Sequence, residues 1–120
     1  MNPIIPVMAG GALGAALRYL VSLALTGRGG FPYATLAVNL LGGFAMGVLA
    51  ALVLRGVASE GLRLFVGVGI LGGFTTFSAF SLESFQMIER GQVALAGSYA
   101  VASVIGSIAA LAVGYAVARA

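Results

Sequence analysis

Cysteine, histidine, lysine, tryptophan and aspartate are absent from this 120-residue chain, and the only acids are Glu60, Glu83 and Glu89. Without cysteine there is no disulfide and no thiol chemistry. Without histidine or clustered carboxylates the usual metal sites have no ligands, and triad-type catalysis has no base. An enzyme would lack acids, bases and nucleophile partners. Charge is scarce too: 8% of residues are charged, against about 25% in a soluble domain. The six arginines that set the net charge of +3 lie in or near the ends of apolar stretches. They give a topology signal rather than a nucleic-acid patch.

What the chain has in abundance is apolar length. It is 61% hydrophobic, with a mean hydropathy of +1.12. Four stretches run from Ile4 to Leu25, Tyr33 to Leu54, Leu62 to Phe85 and Val93 to Val117. Each suffices to cross about 30 Å of hydrocarbon as a helix. The length fits one domain, residues 1–120. The N-terminus has no basic region and its apolar run is too long for a signal peptide, so it is expected to stay in the mature protein. The connectors at 26–32, 55–61 and 89–91 are short, which predicts antiparallel neighbours with both termini on one side. Arginines divide almost evenly: Arg55, Arg63 and Arg119 on one side, Arg28, Arg90 and (if it reaches that interface) Arg18 on the other. The positive-inside rule needs an excess to fix orientation. The balance fits either a weakly biased single topology or insertion both ways with antiparallel pairing. Four helices do not easily enclose a pore alone, which favours an oligomer. Small residues four apart (Gly10 and Gly14, Gly43 and Gly47, Gly69 and Gly73, Ser103 and Ser107) predict close helix contacts.

The third stretch is poor helix material at its centre. Gly67, Gly69, Gly72 and Gly73 precede Thr75, Thr76, Ser78 and Ser81, which alternate with Phe74, Phe77 and Phe80. Glycine costs about 1 kcal/mol against alanine in a helix interior. Irregular backbone at membrane depth survives only where protein buries it or where it lines a polar path. The segment therefore reads as a broken helix in a permeation pathway. Gly67 to Gly72 also matches G-x-G-x-x-G, but the nucleotide-binding reading needs a strand before it and a helix after it. Neither fits a transmembrane run.

The remaining polar residues can be placed around that segment. Asn39 lies well inside the second stretch and must face protein rather than lipid. Its amide serves either a helix–helix hydrogen bond or a passing anion. Phe77 and Phe80 are three apart, and an aromatic ring has a positive edge. Such an edge can face a small anion without the grip of a full charge. Ser103 and Ser107, with Asn39, Thr76 and Ser78, could form a track of donors replacing the water an anion sheds. Arg18 either snorkels to the interface or draws anions into a vestibule. Glu83, the acid nearest membrane depth, either pairs with Arg18 or shapes that vestibule.

These residues resemble a known family. Gly72 to Glu83 (GGFTTFSAFSLE), Asn39 to Phe44 (NLLGGF) and Gly10 to Tyr19 (GGALGAALRY) are similar to motifs of the Fluc (CrcB-type) fluoride channels. The likeness spans the chain in length, layout and motif order. It implies an all-α membrane protein: four transmembrane helices with a break in helix 3, paired as an antiparallel dual-topology homodimer. It implies passive fluoride export through two pores, giving fluoride resistance, in the inner (plasma) membrane. The matching residues would place Phe77, Phe80 and Asn39 on the pores, Ser78 and Ser107 in a polar track, and Arg18 near the entrance. Backbone carbonyls of Gly72 and Thr75 from both subunits would hold a structural Na+. Ala79 stands where the family usually has a hydroxyl. A proton-coupled small multidrug-type transporter would instead need an embedded carboxylate and favour a tryptophan cage. A structural assembly protein would leave the clustered hydroxyls and phenylalanines without a purpose.

Overall fold

The computed structural model describes residues 2–25 and 30–120. Arg28 and the connector residues 26–29 lie outside the described residues. All regular structure described is helical. Helix α1 is Ile4–Leu25, α2 is Tyr33–Leu54, α3 covers 60–74, α4 is Ser78–Glu89 and α5 is Val93–Arg119. Among the described residues, four spans are long and apolar enough to cross a membrane: α1, α2, the combined Glu60–Glu89 and α5. This is an all-α, multi-pass membrane protein. The third and fourth spans exceed the expected bounds at both or one end: Glu60 and Glu89 extend the third, and Arg119 extends the fourth.

Helix ends follow local chemistry. Asn2 Oδ1 accepts the Ile4 N–H at 3.0 Å and starts α1. Ser59 Oγ accepts the Leu62 N–H at 3.1 Å and starts α3. After α2, Gly56 takes φ +74°, and the Val57 N–H reaches back to Leu52 O at 3.0 Å. After α4, Gly91 takes φ +78°, and the Gln92 N–H reaches Met87 O at 2.8 Å. These left-handed closures favour glycine, which has no Cβ to clash. Within α3, Arg63–Leu71 winds with wide π-type turns, so that the Gly72 N–H bonds Gly67 O.

The helices associate as two tight pairs, α1 with α3 and α2 with α5. Small residues make both possible. A Cβ built on Gly14 would lie 2.0 Å from Ile70 O, and one on Gly47 would lie 2.0 Å from Leu111 O. Gly10, Gly69 and Gly73 line the first contact; Gly43 meets the Ser107 backbone in the second. The two pairs are joined less closely, through α2 against α1 and α3, and through α4 against α5. A buried cluster of Met87, Ala96 and Tyr99 fixes the last of these, with Phe31, Leu36, Phe80 and Leu95 packed on it. Arg55 Nη1 bonds Ala118 O at 2.8 Å, placing the ends of α2 and α5 at one face. The chain is a slab of 49 × 30 × 20 Å. Leu20, Leu23, Ile105, Ile108 and Val117 are among the many large apolar residues on its surface.

Candidate functional site

The site begins where helical geometry stops. Thr75 is extended (φ −84°, ψ 157°), and helix resumes only at Ser78. In hydrocarbon the freed backbone groups need partners. The Thr75 N–H and hydroxyl both bond Leu71 O, at 3.0 and 2.9 Å. Thr76 is held by Asn39 from α2: its N–H donates to Asn39 Oδ1 at 2.9 Å, and its carbonyl accepts from Asn39 Nδ2 at 3.0 Å. The side-chain amide thus mimics a β-bridge partner. The Thr76 hydroxyl accepts the Ala79 N–H at 3.1 Å, capping the first turn of α4. Arg18 Nε, from α1, donates to Gly73 O at 3.0 Å at the end of α3. The carbonyls of Gly72 and Thr75 receive no hydrogen bond among the described residues.

A groove of about 400 Å³ opens beside this break. It is lined by Asn39, Gly42, Gly43, Thr75, Thr76, Phe77, Phe80, Ser103 and Ser107, with apolar side chains of α2 and α5. The Phe77 and Phe80 rings sit 5.5 Å apart at 44°. Phe80 also packs on Tyr99 at 5.0 Å, which fixes it from behind. Phe77 is 75% exposed and has no such support in its own chain. Ser103 is buried, and its hydroxyl has no hydrogen-bond partner. A buried hydroxyl left unpaired costs roughly 1–3 kcal/mol, so this one, on a residue that lines the groove, is a donor without a protein acceptor.

A second cavity of about 210 Å³ lies across Thr76 and Ala79 from the first. Arg18, Tyr19, Ser22, Thr35 and Glu83 line it. Thr35 and Glu83 also line a third cavity, of about 300 Å³, with Tyr33, Gln86 and Arg90. Thr76 borders the first two cavities, and Thr35 and Glu83 border the last two. Polar side chains therefore mark a sequence of spaces from the membrane end of α4 to the break.

The structure brings Asn39, Thr76, Phe77, Phe80, Ser103 and Ser107 together along the groove, with Ser78 beside Thr76 but not in the lining. Ser78 lies outside the groove, exposed, with its hydroxyl 3.4 Å from that of Thr76. The reason is the break: α4 restarts at Ser78, and its first turn points Phe80 rather than Ser78 toward α5. Glu83 does not ion-pair with Arg18; the one salt bridge among the described residues joins Arg63 to Glu60. Glu83 lies inside α4, which continues to Glu89. Its carboxylate instead accepts the Thr35 hydroxyl at 2.8 Å and the Tyr99 hydroxyl at 2.9 Å. Both charged groups line the second cavity without meeting. Asn39 is a backbone clamp first, and its second Nδ2 hydrogen is the donor that remains.

Tyr99 and Thr35 were not legible as site residues. Tyr99 is fully buried and Thr35 nearly so. One signal was available: a tyrosine deep in an apolar run needs a partner for its hydroxyl, and Glu83 is the acid nearest membrane depth.

Residues 5–115 match the family described as CrcB-like protein, Camphor Resistance (CrcB). The chain is 52% identical over 117 residues to a fluoride-specific ion channel FluC of Sphingopyxis alaskensis, covering 95% of this chain and 93% of that one. It is 51% identical over 123 residues to a protein of the same name from Caulobacter vibrioides, covering 99% and 97%. A fluoride-specific ion channel FluC 1 of Nitrobacter hamburgensis is 46% identical over 119 residues, covering 97% and 94%.

Proposed function

This chain belongs to the CrcB-like family, and we propose from that premise that it is a fluoride-specific passive channel. It is a transport protein and not an enzyme. The observation that carries the reading is the groove at the break. There a small anion would find phenylalanine edges, the free hydrogen of Asn39 and the unpartnered hydroxyl of Ser103, with no fixed cation to trap it. Fluoride is strongly hydrated, so it needs donors that replace water in sequence. Thr76, Ser103 and Ser107 supply hydroxyls on two sides of the phenylalanines. The Arg18 cavity serves as the vestibule that raises local anion concentration.

Passive flow suits fluoride chemistry. Neutral HF crosses the bilayer from an acidic medium and ionises in the more alkaline cytoplasm. A channel in the inner membrane lets the trapped anion leave down its gradient, giving resistance. A proton-coupled transporter would need a carboxylate free to exchange protons, whereas Glu83 is tied to two hydroxyls.

The working unit in this proposal is an antiparallel homodimer of dual topology. A slab 20 Å thick leaves the groove open on one side. Phe77 and Gly72 are exposed in the protomer, and a second copy would cover both. A structural Na+ fits at the two-fold axis. Sodium asks for oxygen ligands, and unwound carbonyls at helix breaks supply them. The family resemblance points to the carbonyls of Gly72 and Thr75, of which two protomers would offer four; like that of Phe74, they accept no hydrogen bond among the described residues. When bound, the ion would neutralise carbonyl dipoles and tie the two breaks together.

The test is anion efflux from liposomes holding the purified protein, with valinomycin carrying K+. A fluoride and a chloride electrode read the same sample. Fast fluoride loss without chloride loss is expected; retention of fluoride by a folded dimer would end the channel reading.

A further inference from the structure

Arg18 does more than line the vestibule. Its Nε is bonded to Gly73 O, and Gly73 directly follows Gly72 and stands two residues before Thr75. These flanking carbonyls, with that of Phe74, accept no hydrogen bond among the described residues. The contact is held in place by packing. A Cβ on Gly73 would lie 2.5 Å from Gly11 O and 3.1 Å from the Ala15 N, so α1 lies directly on this backbone. Arg18 is seven residues beyond Gly11, two turns along the same face of α1, which carries its guanidinium to the Gly73 carbonyl. The side chain is part-buried there. The C-terminal end of α3 is the negative end of a helix dipole, and one permanent cation already occupies it.

We propose that Arg18 tunes the cation site at the break, weakening its hold on sodium and excluding divalent cations. The inference rests on the sodium reading given above. The physical basis is like-charge repulsion across one short ridge of carbonyls. Repulsion scales with the product of the charges and is screened little where solvent is excluded. A monovalent ion meets one unit of repulsion, and a divalent ion meets twice that. The Gly73 carbonyl, spent on Arg18, is also withdrawn from the coordination sphere. Calcium takes six to eight oxygens, and four carbonyls with a guanidinium alongside suit it badly.

The test is the thermal unfolding midpoint of the purified dimer in detergent, titrated with NaCl or CaCl2. N-methyl-D-glucamine chloride holds ionic strength constant. Wild type, Arg18→Gln and Arg18→Lys are compared. The wild-type midpoint should rise with sodium and not respond to calcium at the same concentrations. Arg18→Gln should reach its half-maximal rise at about tenfold less sodium and should gain a response to calcium. Arg18→Lys, which keeps the charge, should follow wild type. An equal or greater sodium requirement in Arg18→Gln overturns the proposal, and so does wild-type protein that calcium stabilises as well as sodium. Should Arg18→Gln not fold, sodium-23 line broadening on the wild type decides: calcium displacing sodium at equal concentration overturns it. A wild-type midpoint indifferent to sodium removes the sodium assignment itself, and fluoride efflux from the same preparation then reports separately on the channel.

Discussion

Asn39→Asp isolates the clamp on the break. In the native protein the amide gives and receives one hydrogen bond with Thr76, at 3.0 and 2.9 Å. An ionised carboxylate can still accept the Thr76 N–H but has no donor for the Thr76 carbonyl. The two oxygens would then face each other where a hydrogen bond stood. Losing the bond removes about 1 kcal/mol, and leaving a buried carbonyl unsatisfied adds about 1–3 kcal/mol. The loss of about 2–4 kcal/mol falls on a three-residue linker, not on the α1–α3 and α2–α5 contacts. The dimer should therefore form while the break relaxes and the groove loses its shape. At about 1.4 kcal/mol per tenfold, the ratio of native to relaxed break would fall about 30- to 700-fold, and fluoride efflux should fall as the relaxed form becomes populated. The assay pairs electrode-measured efflux with size-exclusion chromatography and a thermal midpoint. Wild-type efflux with an unchanged midpoint would refute the clamp. Lost efflux with an unchanged midpoint would move Asn39 from clamp to ion contact.

Phe80→Ile should nearly abolish fluoride efflux while the dimer elutes normally, because it removes the ring edge and keeps apolar volume against Tyr99; intact efflux takes Phe80 out of the pathway. Tyr99→Phe leaves the Glu83 carboxylate with Thr35 alone and should cost roughly 1–3 kcal/mol of stability, seen as a lower thermal midpoint; no shift would mean the 2.9 Å bond contributes nothing. Gly47→Ala drives a methyl into the Leu111 carbonyl, 2.0 Å away. Overpacking of this kind costs typically 1–3 kcal/mol, so the purified yield of monodisperse protein should drop sharply. A reporter fused to the C-terminus should label both sides of the membrane, and one-sided labelling would refute dual topology.

Much of the fold follows from short windows of sequence. Three of the four spans begin at the expected residue, since length and apolarity in lipid leave the backbone no other form than helix. The glycine pairs sit at the helix contacts, because only missing side chains permit such approach. The interval Thr75–Phe77 leaves helical geometry within the stretch that glycines and hydroxyls had marked. A break changes the phase of every residue after it, Ser78 included. A periodicity counted across Thr75–Phe77 no longer describes which face a side chain occupies.

The sequence by itself determined the solvent, the number of membrane-crossing stretches and the segment that would not stay helical, because these depend on neighbours within a few turns. Tertiary structure decided what each polar group does. Asn39 meets Thr76 across 37 residues, Thr35 meets Glu83 across 48 and Arg18 meets Gly73 across 55. An arginine, an amide and a carboxylate in hydrocarbon must each find a partner, and that need is legible from composition. Which partner it finds depends on how two helix pairs dock, and no local window carries that information.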